Sequence, residues 1–142
     1  MTSSVHISLN VRDLGRSVEF YRRFFGEPAK LEPDYAKFVT RDPEIHLALE
    51  PGLEAGLDVA SRPGALSHLG LRVGSVDEVA RWKTSLRERG LAIEAEERSE
   101  CCYALQEKFW LADPDGNRWE VYTVLQDVTT MKPAAGPACC AR

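Results

Sequence analysis

Two stretches of alternating apolar and polar residues, near the start and near the middle of the chain, share one pattern. Residues 5–13 read VHISLNVRD and residues 67–75 read SHLGLRVGS, with a histidine second in each and apolar residues at matching places after it. Such alternation predicts a strand with one buried face. Because the stretches match, the sequence predicts an internal repeat in which His6 and His68 are equivalent.

A helix is predicted after each of these strands. In the first half, apolar residues recur at helical spacing over 14–25, with Asp13 placed to cap the start and Gly26 just past the end. In the second half, Ser75 opens an S-x-x-E capping box and Gly90 is placed to end the helix. Both predicted helices therefore have start and stop signals of their own.

Each half then returns to strands. The predicted strands cover residues 29–31, 35–41 and 44–50, and residues 91–96, 104–112 and 118–124. The DPDGN segment at 113–117 is a strong hairpin turn between the last two. The predicted class is α+β, with two βαβββ modules at residues 1–50 and 66–125, a connector at 51–65 and a tail at 126–142.

The second module is longer than the first. His6 and His46 are 40 residues apart, whereas His68 and Glu120, the apparent counterpart of His46, are 52 apart. Most of the extra residues precede the second-last strand and include the SECCY segment at 99–103. We expect this segment to be a loop added to the repeat, and loops added to a rigid scaffold often carry function.

Composition and charge narrow the class of protein. The chain has 142 residues, of which 44% are hydrophobic and 28% charged, and its net charge is −4. These values are typical of one globular domain. Because the basic residues are scattered, no nucleic-acid partner is predicted. No apolar run approaches the roughly 20 residues that span a bilayer, and the first residues lack a signal-peptide pattern, so we expect no membrane partner and a cytoplasmic location.

The four cysteines form two adjacent pairs, Cys101 with Cys102 and Cys139 with Cys140. Neighbouring Cα atoms are about 3.8 Å apart, closer than a disulfide ordinarily requires, so free thiols are expected. Two adjacent thiols can bind one thiophilic atom, such as trivalent arsenic, cadmium or mercury. The plainer interpretations are a cysteine packed in the core for the first pair and an unstructured end for the second.

His6, His68 and Glu120 are the candidate metal ligands. Glu120 is a charge within an apolar run, where it needs a cation or another partner. Two histidines and a carboxylate form the facial triad of non-haem Fe(II) sites. The plainer interpretation is two hydrogen-bonded strand histidines and a surface glutamate, but the repeat symmetry favours the triad. His46 is either a fourth ligand, a supporting group or a neutral pocket residue.

The paired modules, the two strand histidines and the DPDGN turn before Glu120 resemble the vicinal oxygen chelate superfamily over roughly residues 5–124. The segments SECCYA, KFW and RWEVYTVL are similar to its carbon–arsenic lyase branch, also labelled cadmium-induced protein. The resemblance implies two βαβββ modules that form a cupped mixed sheet around a metal site. It also implies Fe(II) as the cofactor.

The resemblance further implies a dioxygenase that breaks the carbon–arsenic bond of trivalent organoarsenicals, such as methylarsonous acid and trivalent aromatic arsenicals, to release arsenite. His6, His68 and Glu120 then correspond to the catalytic metal ligands, and Cys101 and Cys102 to the thiols that bind the arsenic. The implied partners are a small-molecule arsenical and dioxygen. A second copy of the chain, in a homodimer, is the remaining candidate partner.

Two other functions compete with this one. A non-catalytic protein could sequester cadmium or arsenite with its cysteines, but such a protein has no need of a facial triad. A glyoxalase-like metalloenzyme of the same superfamily has no need of the thiol pair. Glyoxalase-type sites tend to use four protein ligands, so this second alternative depends on His46.

Overall fold

The computed structural model describes residues 3–52, 66–101 and 104–127, and these form two compact units. The first unit contains four strands, a helix and the turn Asp113–Gly116, and the second contains four strands and a helix. The predicted connector and tail fall almost entirely outside the described residues, as do Cys102, Cys139 and Cys140. Within the described ranges, no helix is long and apolar enough to cross a membrane.

The first unit has the predicted order of elements. These are β1 (Val5–Val11), α1 (Leu14–Phe25), β2 (Lys30–Glu32), β3 (Tyr35–Val39) and β4 (Ile45–Pro51). The strands lie in the order β1-β4-β3-β2, with β1 parallel to β4 and the other pairs antiparallel. Helix α1 packs against β3 and β4 and buries an apolar face that includes Tyr21 and Phe24.

The second unit repeats this arrangement. Its elements are β5 (Leu69–Arg72), α2 (Val76–Glu88), β6 (Ala95–Cys101), β7 (Ala104–Ala112) and β8 (Arg118–Asp127). The strands lie in the order β5-β8-β7-β6, again with the first pair parallel. Helix α2 packs against β7 and β8. The order of elements confirms the α+β class and the two βαβββ modules.

The predicted helix caps are present. The Asp13 carboxylate accepts a hydrogen bond from the backbone N of Arg16 at 3.0 Å, and the Ser75 hydroxyl accepts one from the backbone N of Glu78 at 3.1 Å. Gly26 and Gly90, just past the two helix ends, have φ of 94° and 83°. Only glycine adopts these values without strain, which explains why the helices stop there.

Strand β6 differs from the prediction. A strand at 91–96 followed by a loop was expected, but the strand begins at Ala95 and ends at Cys101, which pairs with Ala104 of β7. The extra length of the second module is therefore a longer β-hairpin and not an added loop. Residues 97–101 form a strand because they pair with β7, and local alternation does not report pairing with a distant segment.

The register of the two sheets corrects the predicted alignment of the modules. Ser8 pairs with Ala48 in the first sheet, and Gly70 pairs with Glu120 in the second. Because Ser8 and Gly70 are equivalent in the repeat, the counterpart of Glu120 is Ala48, and the proposed equivalence with His46 is wrong by two residues. A two-residue shift keeps every side chain on its own face of the sheet, so the apolar pattern could not detect it.

Candidate metal centre

Glu120 is the third residue of β8, a strand that is hydrogen-bonded to β5 on one side and to β7 on the other. Its register partners are Gly70 on β5 and Trp110 on β7. Lys108 and Tyr122, which pair with each other, lie on the same face because side chains alternate along a strand. This face of the second sheet therefore carries an acid, a base and two aromatic rings.

Gly70 provides the space for the Glu120 carboxylate. A Cβ atom at position 70 would lie 3.1 Å from Cγ and 3.2 Å from Oε1 of Glu120, and 3.2 Å from Cε1 of Tyr122. These separations are tighter than ordinary packing, so a side chain at this position would force the Glu120 side chain or the Tyr122 ring to shift by a few tenths of an ångström. Because Gly70 has no side chain, the Glu120 side chain can lie across β5 at that position.

His68 approaches the carboxylate from the start of β5. Its Nε2 is 3.6 Å from Oε1 of Glu120, and its Nδ1 is 3.0 Å from the hydroxyl oxygen of Ser67. The ring meets Trp110 edge-on, with centroids 5.1 Å apart. In metal-binding histidines the second ring nitrogen is typically held by a hydrogen bond. Ser67 supplies that contact here, and it leaves Nε2 directed at the carboxylate.

Lys108 contacts the other carboxylate oxygen. Its Nζ is 3.2 Å from Oε2 of Glu120, and its side chain is only 1% exposed. The two oxygens of Glu120 thus have different neighbours, an imidazole at Oε1 and an ammonium at Oε2. Lys108 is not among the site residues predicted from the sequence. The available signal was a charge at the start of the apolar run KFWLA on a predicted strand.

Trp110 packs against this group of side chains on the same face of the sheet. It is 2% exposed, the Lys108 Nζ lies 5.3 Å from its ring centroid, and the Arg118 Cζ lies 4.4 Å from the same ring. Phe109 and Trp119 are each 1% exposed. These three aromatic residues are therefore packing residues of the strands.

His6 belongs to the first unit. It lies on β1, is exposed, and pairs in register with His46 of β4. The Nε2 of His46 is 3.1 Å from Oε1 of Glu44, so that ring already has a carboxylate partner. Among the described residues, no three or more His, Cys, Asp or Glu side chains gather closely enough to hold a metal ion.

The pair formed by His68 and Glu120 nevertheless suits a divalent metal. Imidazole nitrogen and carboxylate oxygen are the ligand types of non-haem Fe(II) sites. Two adjacent donors bound to one ion at about 2.1 Å each are about 3 Å apart, so the observed 3.6 Å requires only a small adjustment. The space over Gly70 and the hydrogen bond of Ser67 to the distal ring nitrogen are further features of such a site.

Comparison with known proteins identifies the family. Residues 3–121 match the model of the Glyoxalase/Bleomycin resistance protein/Dioxygenase superfamily. The chain belongs to this superfamily. A glyoxalase/bleomycin resistance protein/dioxygenase from Alicyclobacillus acidocaldarius has the same fold, with a TM-score of 0.70 and 20% identity over 87% of this chain and 92% of that one. The predicted superfamily is confirmed.

Curated relatives within the superfamily are more similar in sequence. A trivalent organoarsenical cleaving enzyme from Bacillus sp. (strain MD1) is 39% identical over 95% of this chain and 81% of its own length. One from Thermomonospora curvata is 42% identical over 97% and 88%. The cadmium-induced protein CadI of Mycobacterium tuberculosis (strain ATCC 25618 / H37Rv) is 43% identical over 95% and 84%. These names agree with the branch that the sequence motifs resemble.

Proposed function

We propose that this superfamily member is an Fe(II)-dependent dioxygenase of the cytoplasm that cleaves the carbon–arsenic bond of trivalent organoarsenicals and releases arsenite. Methylarsonous acid and trivalent aromatic arsenicals are the proposed substrates. The observation that carries the proposal is the approach of His68 Nε2 to Glu120 Oε1 over Gly70. The names of the relatives support the choice of substrate.

His6, His68 and Glu120 are the proposed ligands of the iron. Bound Fe(II) would supply the electrons that activate dioxygen, and three protein ligands leave coordination positions open for small molecules. The chain contributes the orientation of the ligands. Ser67 holds the His68 ring through Nδ1, and the buried Trp110 restricts that ring from its edge.

The register of the first sheet disfavours the glyoxalase-like alternative. That alternative needs a fourth protein ligand, for which His46 was the candidate. The position equivalent to Glu120 is occupied by Ala48, whose side chain has no donor atom. His46 is directed at Glu44 instead. A site with three protein ligands therefore agrees better with the strand register than a site with four.

Cys101 and Cys102 are proposed to bind the arsenic as thiolates. Cys101 ends β6 opposite Ala104, whereas Trp110, the register partner of Glu120, is six residues further along β7. At about 3.3 Å per residue this separation is about 20 Å along the strand. The captured arsenical can reach the iron only if the hairpin bends towards it. The register shift at Leu105/Gln106 is an irregularity of the kind that bends strands.

Two variants separate cleavage from sequestration. Glu120→Ala should still bind the trivalent arsenical through its thiols but should lose Fe(II) and release no arsenite. Cys101→Ser should retain Fe(II) and lose turnover at low substrate concentration. Bound arsenical, iron content and free arsenite are measured in the same samples, with Cys139→Ser as the control for a thiol outside the proposed site. Wild type that binds the arsenical and releases nothing would favour the sequestering protein.

A further inference from the structure

Lys108 is a buried cation that contacts the carboxylate of the proposed metal ligand Glu120. Its side chain is 1% exposed and its Nζ is 3.2 Å from Oε2 of Glu120, while Oε1 of the same carboxylate faces His68. The Nζ also lies 5.3 Å from the centroid of the Trp110 ring. An ammonium and a carboxylate are both costly to bury, and each is tolerated here because the other is present.

We infer that Lys108 is a positioning residue that holds Oε2 of Glu120, so that only Oε1 is offered to the metal. This inference rests on the proposed function, because it concerns how a proposed ligand binds the ion. A carboxylate with both oxygens free can bind a metal through both and so occupy two coordination positions. The hydrogen bond from Lys108 prevents that mode and keeps a position open for a small molecule.

Packing alone does not require a lysine at this position. Methionine matches the length of the lysine stem and removes only the ammonium. Removing one partner of a buried ion pair is destabilising when no other cation is present, so the comparison is made in the metal-loaded chain, where the bound ion supplies positive charge to Glu120. Lys83, by contrast, pairs with Glu96 at 3.3 Å while its side chain is 26% exposed. The two lysines therefore form a matched pair for a test, one inside the candidate centre and one at the surface of the same unit.

The test uses the full chain loaded with Co(II), whose absorption spectrum reports its coordination, and titrates it with azide. Lys108→Met should keep Co(II) affinity within about threefold or bind it more tightly. It should show a changed spectrum and bind azide at least about tenfold more weakly, since a carboxylate bound through both oxygens would occupy the position that azide takes. Lys83→Met should match wild type in both measurements. Circular dichroism confirms that each variant is folded.

The outcomes are distinguishable. An unchanged cobalt spectrum and unchanged azide affinity in folded Lys108→Met would overturn the positioning role and leave the proposed function intact. If Lys108→Met does not fold, Lys108→Leu, which also lacks a hydrogen-bond donor, is assayed in the same way, with the same expected result. If wild type itself does not bind Co(II) or Fe(II), the metal centre is wrong, and the inference about Lys108 is wrong with it.

Discussion

At the scale of single residues, the candidate centre depends on what surrounds one carboxylate. Glu120 is 8% exposed and would be an unfavourable residue for the middle of a sheet if it stood alone. Gly70 gives it space, His68 faces one oxygen and Lys108 contacts the other. Each contact has a separate role, so each can be tested by one substitution.

Gly70→Ala should weaken metal binding while the fold is kept. The new Cβ would lie 3.1–3.2 Å from Glu120 and Tyr122, so the side chains around the carboxylate have to shift by a few tenths of an ångström and its alignment with His68 is disturbed. We expect Fe(II) affinity to fall about 10–100-fold, the range typical for disturbed ligand orientation. Gly15→Ala in helix α1 is the control, since its nearest contact is 3.4 Å and the change should stabilise the helix. Unchanged affinity in Gly70→Ala would contradict the role given to Gly70.

His46→Ala should leave the metal in place. His46 is paired with Glu44 and does not occupy the position equivalent to Glu120, so we expect Fe(II) affinity to stay within about threefold of wild type. His68→Ala should lower that affinity at least about tenfold. Calorimetric titration under anaerobic conditions measures both. Equal losses in the two variants would make His46 a ligand and restore the four-ligand alternative.

Only some residues of the candidate centre could be predicted from the sequence. His68 and Glu120 could be selected because a histidine recurs in the repeat and a charge interrupts an apolar run. Gly70 could not be selected with them, because its role comes from the pairing of β5 with β8. Lys108 begins an apolar run, but only the pairing of β7 with β8 connects it to Glu120. That pairing joins residues far apart in the chain, and no local pattern encodes which side chains face each other.

At the scale of elements, a surface ion cluster joins α2 to β6. The Lys83 Nζ lies 3.3 Å from Oε2 of Glu96, and the Arg87 Nη2 donates to Oε1 at 2.7 Å. These contacts hold the pKa of Glu96 below its ordinary value. The hydrogen bond from Lys83 is the largest cause of this lowering, and Arg87 adds to it. A carboxyl whose pKa is lowered by folding stabilises the folded state above its unfolded pKa.

Glu96→Gln should therefore lower the free energy of unfolding slightly at pH 7. As the pH falls below the ordinary glutamate value of 4.5 and through the lowered pKa of the folded state, wild type loses this advantage. The two curves of stability against pH should converge at the acid end. Urea unfolding between pH 3 and pH 7 measures the difference. A difference that grows on acidification would contradict the sign of the pKa shift.

Ser75→Ala should destabilise the second unit by about 1 kcal/mol. The Ser75 hydroxyl accepts the hydrogen bond from the Glu78 backbone at the start of α2, and alanine leaves that donor without its cap. Ser75→Asp, which retains a capping oxygen, should recover most of the loss. Thermal or urea unfolding measures both variants. No difference between alanine and aspartate at this position would show that the cap contributes nothing.

Helices were predictable from the sequence and one strand was not. Asp13, Ser75 and the two terminal glycines act within their own helix, so the residues that end each helix are next to it in the chain. Strand β6 depends on β7 instead. Its outer half, residues 97–101, has no apolar alternation and becomes a strand by pairing with residues 104–108. This is why the cysteine segment was predicted as a loop.

At the scale of the whole molecule, the internal repeat accounts for the fold of the two modules. The differences between the two modules account for the proposed chemistry. Both modules have the βαβββ order, and residues 3–121 match the superfamily model. They differ at the position of Glu120, which is Ala48 in the first module, and in the length of the hairpin that ends in Cys101. The first difference favours a centre with three protein ligands, and the second adds a cysteine at the far end of the hairpin from Glu120.

Iron- and dioxygen-dependent release of arsenite from methylarsonous acid is the most direct measurement of the central claim. Protein purified without oxygen is mixed with Fe(II) and the arsenical, and arsenite is quantified before and after air is admitted. The account predicts arsenite only after air is admitted, only with iron, and not from Glu120→Ala. Equal arsenite from wild type and Glu120→Ala, or arsenical bound by wild type with none converted, would contradict it.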